Sequence, residues 1–249
     1  MRLERDQRNL RRNTTRNISI KIGIKICGIE SVKIIVALDD MDFEKAFGMY
    51  VQLAPHCDGF KINHTLLEHS SMFTNYEGEV MVDLKLWDTP NSVCSIVEKI
   101  LDTPATMCTV STFNNSEVFQ CLHQYSEDIK LLGVTYLTSW SPEEQFQITR
   151  EMPDDMWRRN LTRIRKYGFT GIVCSAHDIS DIKDDSILRI CPGITFQSSN
   201  SGQVRTVTPR AAQELGADYA IIGRSITKAN HPVETIQAIK YSLICYNAK

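Results

Sequence analysis

Asp83, Lys85 and Asp88 stand in the run Asp83-Leu-Lys85-Leu-Trp-Asp88-Thr-Pro-Asn91-Ser92, where the charges alternate in sign. On an extended chain, positions two apart share a face. Asp83 and Lys85 therefore project together, and Val82, Leu84 and Leu86 project the other way. An ammonium flanked by carboxylates stays protonated. Such a lysine is at once a fixed cation and an acid, fit to stabilise negative charge on a bound molecule and then protonate it. A lone Asp-x-Lys reads equally well as a buried ion pair that fixes strand register, since charges facing a core are costly unless paired. Asp39 closes the run Val-Ala-Leu-Asp39, and Lys61 stands in Gly59-Phe-Lys61-Ile-Asn63. Asp39 and Lys61 occupy equivalent strand ends, so five alternating charges are expected around one mouth. That exceeds what register requires and points to a site.

A second constellation lies near the C-terminus. Ile-Ile-Gly223-Arg224-Ser225 ends a β-rich run and opens a helix, and Pro192-Gly193 precedes a polar loop holding Gln197 and Gln203. Backbone amides at such a turn, with a glycine for close approach and an arginine for paired hydrogen bonds, suit a phosphate group.

These residues must be positioned by a repeating scaffold. From residue 33, eight short β-rich runs alternate with longer segments of helical period: 33–38, 59–62, 80–85, 106–110, 131–136, 171–174, 187–191 and 219–222. Strands alternating with helices indicate a parallel sheet. Eight units in this length favour a closed ring, and no Gly-x-Gly-x-x-Gly follows the first strand. The expected fold class is α/β, a (β/α)8 TIM barrel, with its chemistry at the C-terminal ends of the strands. Phe43, Phe47, Tyr50, Val51 and Ala54 share one helical face, as do Val233, Ile236, Ile239 and Leu243. Thr208-Pro209 reads as a cap and first helical position. Pro153 divides Ser141–Tyr167 into two helices.

Composition sets the outer bounds. The chain has 249 residues, 42% of them hydrophobic, enough for one sizeable core. No apolar run approaches the ~20 residues of a membrane span. Residues 1–27 carry eight Lys and Arg against two Asp and Glu, leaving the remainder at 20 against 28. A body at −8 argues against nucleic acid as the main ligand. Residues 1–31 are expected to be a basic extension, either disordered or an added strand through the alternating Ile18–Ile26 segment, with 32–249 forming the barrel domain. Eight scattered cysteines with no Cys-x-x-Cys read as buried free thiols in a reducing, cytoplasmic setting. The six histidines form no metal-spaced cluster, so no metal is expected.

The strand-three run resembles the Asp-x-Lys-x-x-Asp-Ile-Pro-Asn-Thr signature of the orotidine 5'-phosphate decarboxylase family. Ala-Leu-Asp39, Phe-Lys61, Leu-Thr138-Ser139, Val-Cys-Ser-Ala, Pro192-Gly193-Ile194 and Gly223-Arg224-Ser225-Ile226 extend the resemblance across roughly 33–240. It implies a homodimer that converts orotidine 5'-phosphate to UMP and CO2, the last step of UMP biosynthesis, without metal or organic cofactor. Lys85 would then be the proton donor to C6, with Asp83 beside the substrate carboxylate. Lys61 and Asp88 would complete the array, Asp88 reaching in from the other subunit. Asp39 and Lys61, with Asp88 and Ser92 of the partner, would hold ribose hydroxyls. Thr138 or Ser139 would meet the pyrimidine. The phosphate would fall to Gly223, Arg224 and either Gln197 or Gln203. Thr89 replaces the signature's Ile, Ser92 replaces its Thr, and Thr195 stands where many members carry Arg. Metal-dependent phosphosugar decarboxylases and hexulose-phosphate synthases share the Asp-x-Lys-x-x-Asp run but need a Glu at the position of Lys61. A non-catalytic nucleotide-binding barrel is the remaining alternative.

Overall fold

The computed structural model describes residues 31–137, 140–182, 186–196 and 206–244. Eight parallel strands close into a barrel in sequence order: β1 (Lys33–Ala37), β2 (Gly59–Ile62), β3 (Glu79–Leu86), β4 (Met107–Ser111), β5 (Lys130–Val134), β6 (Gly171–Val173), β7 (Leu188–Cys191) and β8 (Tyr219–Ile222). The ring closes where β1 pairs with β8, with Lys33 opposite Tyr219 and Val36 opposite Ile222. The helices are α1 (Phe43–Leu53), α2 (Pro90–Leu101), α3 (Ser116–Leu122), α4 (Pro142–Thr149), α5 (Pro153–Lys166), α6 (Pro209–Glu214), α7 (Arg224–Thr227) and α8 (Pro232–Ile244). A run of 3-10 turns, His64–Phe73, follows β2. Among the described residues no helix is long and apolar enough to cross a membrane.

Strand alternation splits the apolar residues into two layers. Ile35, Met81, Met107, Leu132, Ile190 and Ile221 fill the barrel interior. Ile34, Val36, Phe60, Val82, Val110 and Ile222 face the helices. Gly133 has no side chain for a packing reason: a Cβ there would come within 2.7 Å of Ile164 on α5.

Local chemistry starts the helices where the sequence places them. Asp42 caps α1 by accepting from the Lys45 amide at 2.9 Å, and Thr208 caps α6 by accepting from Ala211. Ser141 and Glu144 form a reciprocal capping box on α4, and Pro153 opens α5. The division of Ser141–Tyr167 into two helices is therefore as expected. At the opposite end of the barrel from the strand C-termini, Glu79 accepts hydrogen bonds from Lys130, Thr106 and Tyr219. Burial disfavours its charge, but these donors hold the carboxyl below its usual range.

One expectation gains detail and one needs correction. The α1 face is split: Ala46 and Leu53 are buried and Tyr50 packs on the core, while Phe43, Phe47 and Val51 are exposed. Phe43 instead stacks with Phe47 and with His69 of the 3-10 run. The cysteines are also not all free thiols. Cys108, Cys174 and Cys191 are buried and Cys57 is half-buried, but Cys94 and Cys121 form a disulfide. Packing α2 beside α3 brings their Cα atoms to 6.7 Å across 27 residues of sequence. Cys27 and Cys245, like the Ile18–Ile26 segment, lie outside the described residues.

Candidate active site

The site is assembled from the C-terminal ends of the strands. Asp39 follows β1, and Lys61 projects from β2, where it sits opposite Ala37. Asp83 and Lys85 come from β3. Lys61 Nζ lies 2.6 Å from Asp39 and 3.1 Å from Asp83, and Lys85 Nζ lies 2.9 Å from Asp83. Four charges thus form one continuous row, Asp39–Lys61–Asp83–Lys85. The two inner members are nearly sealed, with side-chain exposures of 8% for Lys61 and 12% for Asp83. Lys85, at 40%, opens onto the cavity.

The row maintains its own ionisation. Burial disfavours the Lys61 ammonium, yet Asp83 and Asp39 outweigh it and raise its pKa above the ordinary lysine value. Burial likewise disfavours the Asp83 carboxylate, but Lys61 and Lys85 together hold it below the usual range. Asp83 also accepts from the Thr109 hydroxyl at 2.9 Å. Three donor groups on one carboxylate leave it ionised and fixed.

Strand β3 reaches this geometry by breaking its ladder with β4. Val82 pairs with Cys108 and Leu86 with Val110, so Asp83, Leu84 and Lys85 oppose Thr109 alone. Lys85 adopts φ 51°, the left-handed region that a side chain ordinarily avoids. Its amide donates not to a β4 carbonyl but to Thr109 Oγ1 at 2.8 Å. Such bulges re-aim side chains beside functional sites.

Asp88 does not join the row within its own chain. It is exposed on the loop after β3, accepts from the Thr89 amide at 2.6 Å, and follows the exposed Trp87. Asn114, buried after β4, ties this loop down: it donates to the Leu86 and Ser111 carbonyls and accepts from the Asp88 amide. Ser92, in the first turn of α2, accepts from the Thr89 hydroxyl at 3.0 Å.

The row borders a cavity of about 390 Å3. Met81, Val134, Val173 and Ile221 give it an apolar wall, and Gly193, Gly223 and Arg224, which follow β7 and β8, also line it. Gly193 has φ 79°, which leads the chain away from β7. A Cβ on Gly223 would meet only Ala37, at an ordinary 3.6 Å. Packing within the chain does not demand that glycine, whereas close approach of a ligand to the backbone would. Arg224 is exposed at the start of α7. The loop after β7 is joined to α7 by the Phe196 amide, which donates to Ser225 Oγ. Thr138, Ser139, Gln197 and Gln203 lie outside the described residues. Among the described residues no three His, Cys, Asp or Glu side chains gather as a metal site.

Thr109 and Asn114 were not anticipated. Thr109 had a signal, being a polar residue in the middle of β4, two positions on from the inward Met107; Asn114 had none. Chemically, the arrangement offers a cation that also carries a transferable proton, held at the edge of a cavity that Gly223 and Arg224 also line.

The sequence profile of the Orotidine 5'-phosphate decarboxylase / HUMPS family matches residues 32–239. The orotidine 5'-phosphate decarboxylase of Psychromonas ingrahamii is 32% identical over 228 residues, covering 85% of this chain and 97% of that one. That of Dictyoglomus turgidum is 31% identical over 233 residues, covering 83% and 93%. Among solved structures, the orotidine 5'-phosphate decarboxylase of Lactobacillus acidophilus superposes with TM-score 0.71 at 26% identity, covering 86% of this chain and all of that one. With the profile spanning the whole barrel and the charged row at its mouth, the chain belongs to the Orotidine 5'-phosphate decarboxylase / HUMPS family.

Proposed function

We propose that the chain decarboxylates orotidine 5'-phosphate to UMP and CO2. The observation that carries this reading is the row Asp39–Lys61–Asp83–Lys85, its two inner members buried, at the edge of a cavity with one apolar wall. Breaking the bond between C6 and the carboxylate leaves the electron pair on C6, in an sp2 orbital that no adjacent carbonyl can drain. A fixed ammonium beside C6 is then the available stabiliser, and it acts without reorganising. Lys85 supplies that ammonium and passes one N–H proton to C6, giving UMP, CO2 and a neutral amine that solvent reprotonates. Asp83 fixes Lys85 and lies beside the substrate carboxylate, and Lys61 keeps Asp83 ionised.

Asp39 and Lys61 serve the ribose hydroxyls, joined by Asp88 and Ser92 of a second copy, so each site in the homodimer is shared. The exposure of Asp88 and of the neighbouring Trp87 supports an outward reach of this loop. Gly223 and Arg224 hold the phosphate, with Gln197 or Gln203 as a third contact. Thr138 or Ser139 meets the pyrimidine. Phosphate bound at a distance from C6 contributes binding energy to the reaction. The donor set speaks against the Mg2+-dependent members of the superfamily, because the Lys61 ammonium occupies the position where a metal-binding carboxylate is needed. No cofactor is assigned, and the cytoplasm is the expected location.

The test is turnover of orotidine 5'-phosphate in excess EDTA, followed by loss of its ultraviolet band. Chelator-insensitive turnover supports the assignment. Turnover of a hexulose phosphate only with Mg2+ overturns it in favour of the metal-dependent reading, and inactivity on both overturns it in favour of a binding protein.

A further inference from the structure

Thr109 has no exposed surface and does not line the cavity, yet it touches both residues that do the most work at its edge. Its hydroxyl accepts from the Lys85 amide at 2.8 Å and donates to Asp83 Oδ1 at 2.9 Å. A hydroxyl has one proton. With the amide directed at its lone pair, that proton goes to Asp83. The same oxygen therefore fixes the backbone of one charged residue and the side chain of the other.

The backbone needs such a fixture. Three β3 residues oppose Thr109 alone, so the Lys85 amide has lost its ladder position, and Lys85 sits at φ 51°. A non-glycine residue persists in that region only where its surroundings over-determine it. The threonine hydroxyl replaces the missing ladder acceptor. Valine would match its shape but could neither accept from Lys85 nor donate to Asp83.

We infer that Thr109 is a positioning residue: it pins the β3 bulge so that the Lys85 ammonium and the Asp83 carboxylate face the cavity in one geometry. The kinetic consequence rests on the decarboxylase reading given above; the pinning itself does not.

The full chain carrying Thr109→Val or Thr109→Ser tests it by two independent measurements. In the first, Thr109→Val lowers kcat for orotidine 5'-phosphate on the order of 100-fold, the loss that a displacement of roughly 1 Å produces. KM and the dissociation constant for UMP move by less than about threefold, since ground-state binding is untouched. Thr109→Ser keeps the hydroxyl and restores kcat to within about tenfold of the parent. The second measurement is amide hydrogen exchange: Lys85 is protected in the parent and in Thr109→Ser, and exposed in Thr109→Val.

Parent-like kcat in Thr109→Val, or equal losses in the Ser and Val variants, overturns the inference. So does an unprotected Lys85 amide in the parent, and this last measurement decides the matter even where Thr109→Val does not fold. A parent that shows the expected exchange pattern but turns over no orotidine 5'-phosphate overturns the substrate assignment and supports the pinning.

Discussion

Lys61→Met removes the cation from the middle of the row while keeping an unbranched side chain of similar length. Two carboxylates are then left facing each other. The ammonium lies 2.6 Å from Asp39 and 3.1 Å from Asp83. At an effective dielectric of about 20, each contact near 3 Å is worth about 5 kcal/mol before solvation is counted. Burying the ammonium costs several kcal/mol, and removing one partner of a buried pair typically costs about 3–5 kcal/mol. The lower end applies here, about 3 kcal/mol. Asp83 keeps Lys85 and Thr109, and Asp39, with 35% of its side chain exposed, regains water.

For a barrel of this size, a kcal/mol shifts Tm by about 2–4 °C, so Lys61→Met should melt roughly 10 °C lower at neutral pH. Because the row is buried, the deficit should persist near 1 M KCl, where the screening length falls to about 3 Å. Adding Asp39→Asn removes one of the two stranded charges and should recover a substantial part of the loss. Thermal unfolding followed by circular dichroism measures all three. A deficit under about 1 kcal/mol, or one that vanishes in salt, would show that Lys61 behaves as a surface ion and would refute the electrostatic account of the row.

Lys85→Ala should abolish turnover while UMP still binds, measured by calorimetry. Mixing Lys85→Ala with Asp88→Ala chains should restore one competent site per heterodimer, and no recovery after confirmed subunit exchange counts against shared sites. The pKa of Asp83 is lowered in the fold, so its stabilising contribution is full above the unfolded carboxylate value of about 4 and is lost as pH falls through the folded value. Lys61 is raised, so its contribution is full below about 10.4 and is lost as pH rises through its folded value. Denaturant midpoints across pH should therefore fall on both sides of that window, and in Lys61→Met the acid-side fall should shrink. Burial pushes the Cys108 thiol up to about 12 and the Cys57 thiol up to about 11. Both should resist alkylation in the folded chain at pH 8 and react readily in urea, as mass spectrometry would report.

Much of this architecture could be read from the sequence because its determinants are local. Alternating β-rich runs and helical stripes gave eight strands with ends within a few residues of those observed, and Thr208-Pro209, Ser141 and Pro153 marked helix starts. What the sequence left open or misread was tertiary in origin. The Phe43, Phe47 and Val51 stripe is a true helical face, but burial depends on what lies opposite, and α1 turns Ala46 and Leu53 inward instead. The Cys94–Cys121 pairing depends on how two helices pack, which spacing does not encode. Asp39, Lys61, Asp83 and Lys85 were legible as a group because charged residues at the ends of apolar strands are conspicuous. Asp88 is exposed and its side chain lies outside the row of its own chain.

The bulge in β3 shows why the reading could be right about faces yet miss how they arise. A one-residue insertion would send every later side chain to the opposite face. This one adds two residues relative to β4, so Val82, Leu84 and Leu86 still face the helices, as a regular strand predicts. The hydrophobic pattern is blind to an even insertion. Its trace is the polar Thr109 set opposite, buried in the middle of β4. The two extra residues lengthen the chain between the anchored ends of β3. That slack lets Lys85 rise out of the ladder while Asp83 stays bound to Lys61. A regular strand would space the two groups by its own pleat, and their separation would answer to the sheet. Here the hydroxyl and the carboxylate set it, which places the strain on the residue that faces the cavity and leaves the rest of the barrel in register.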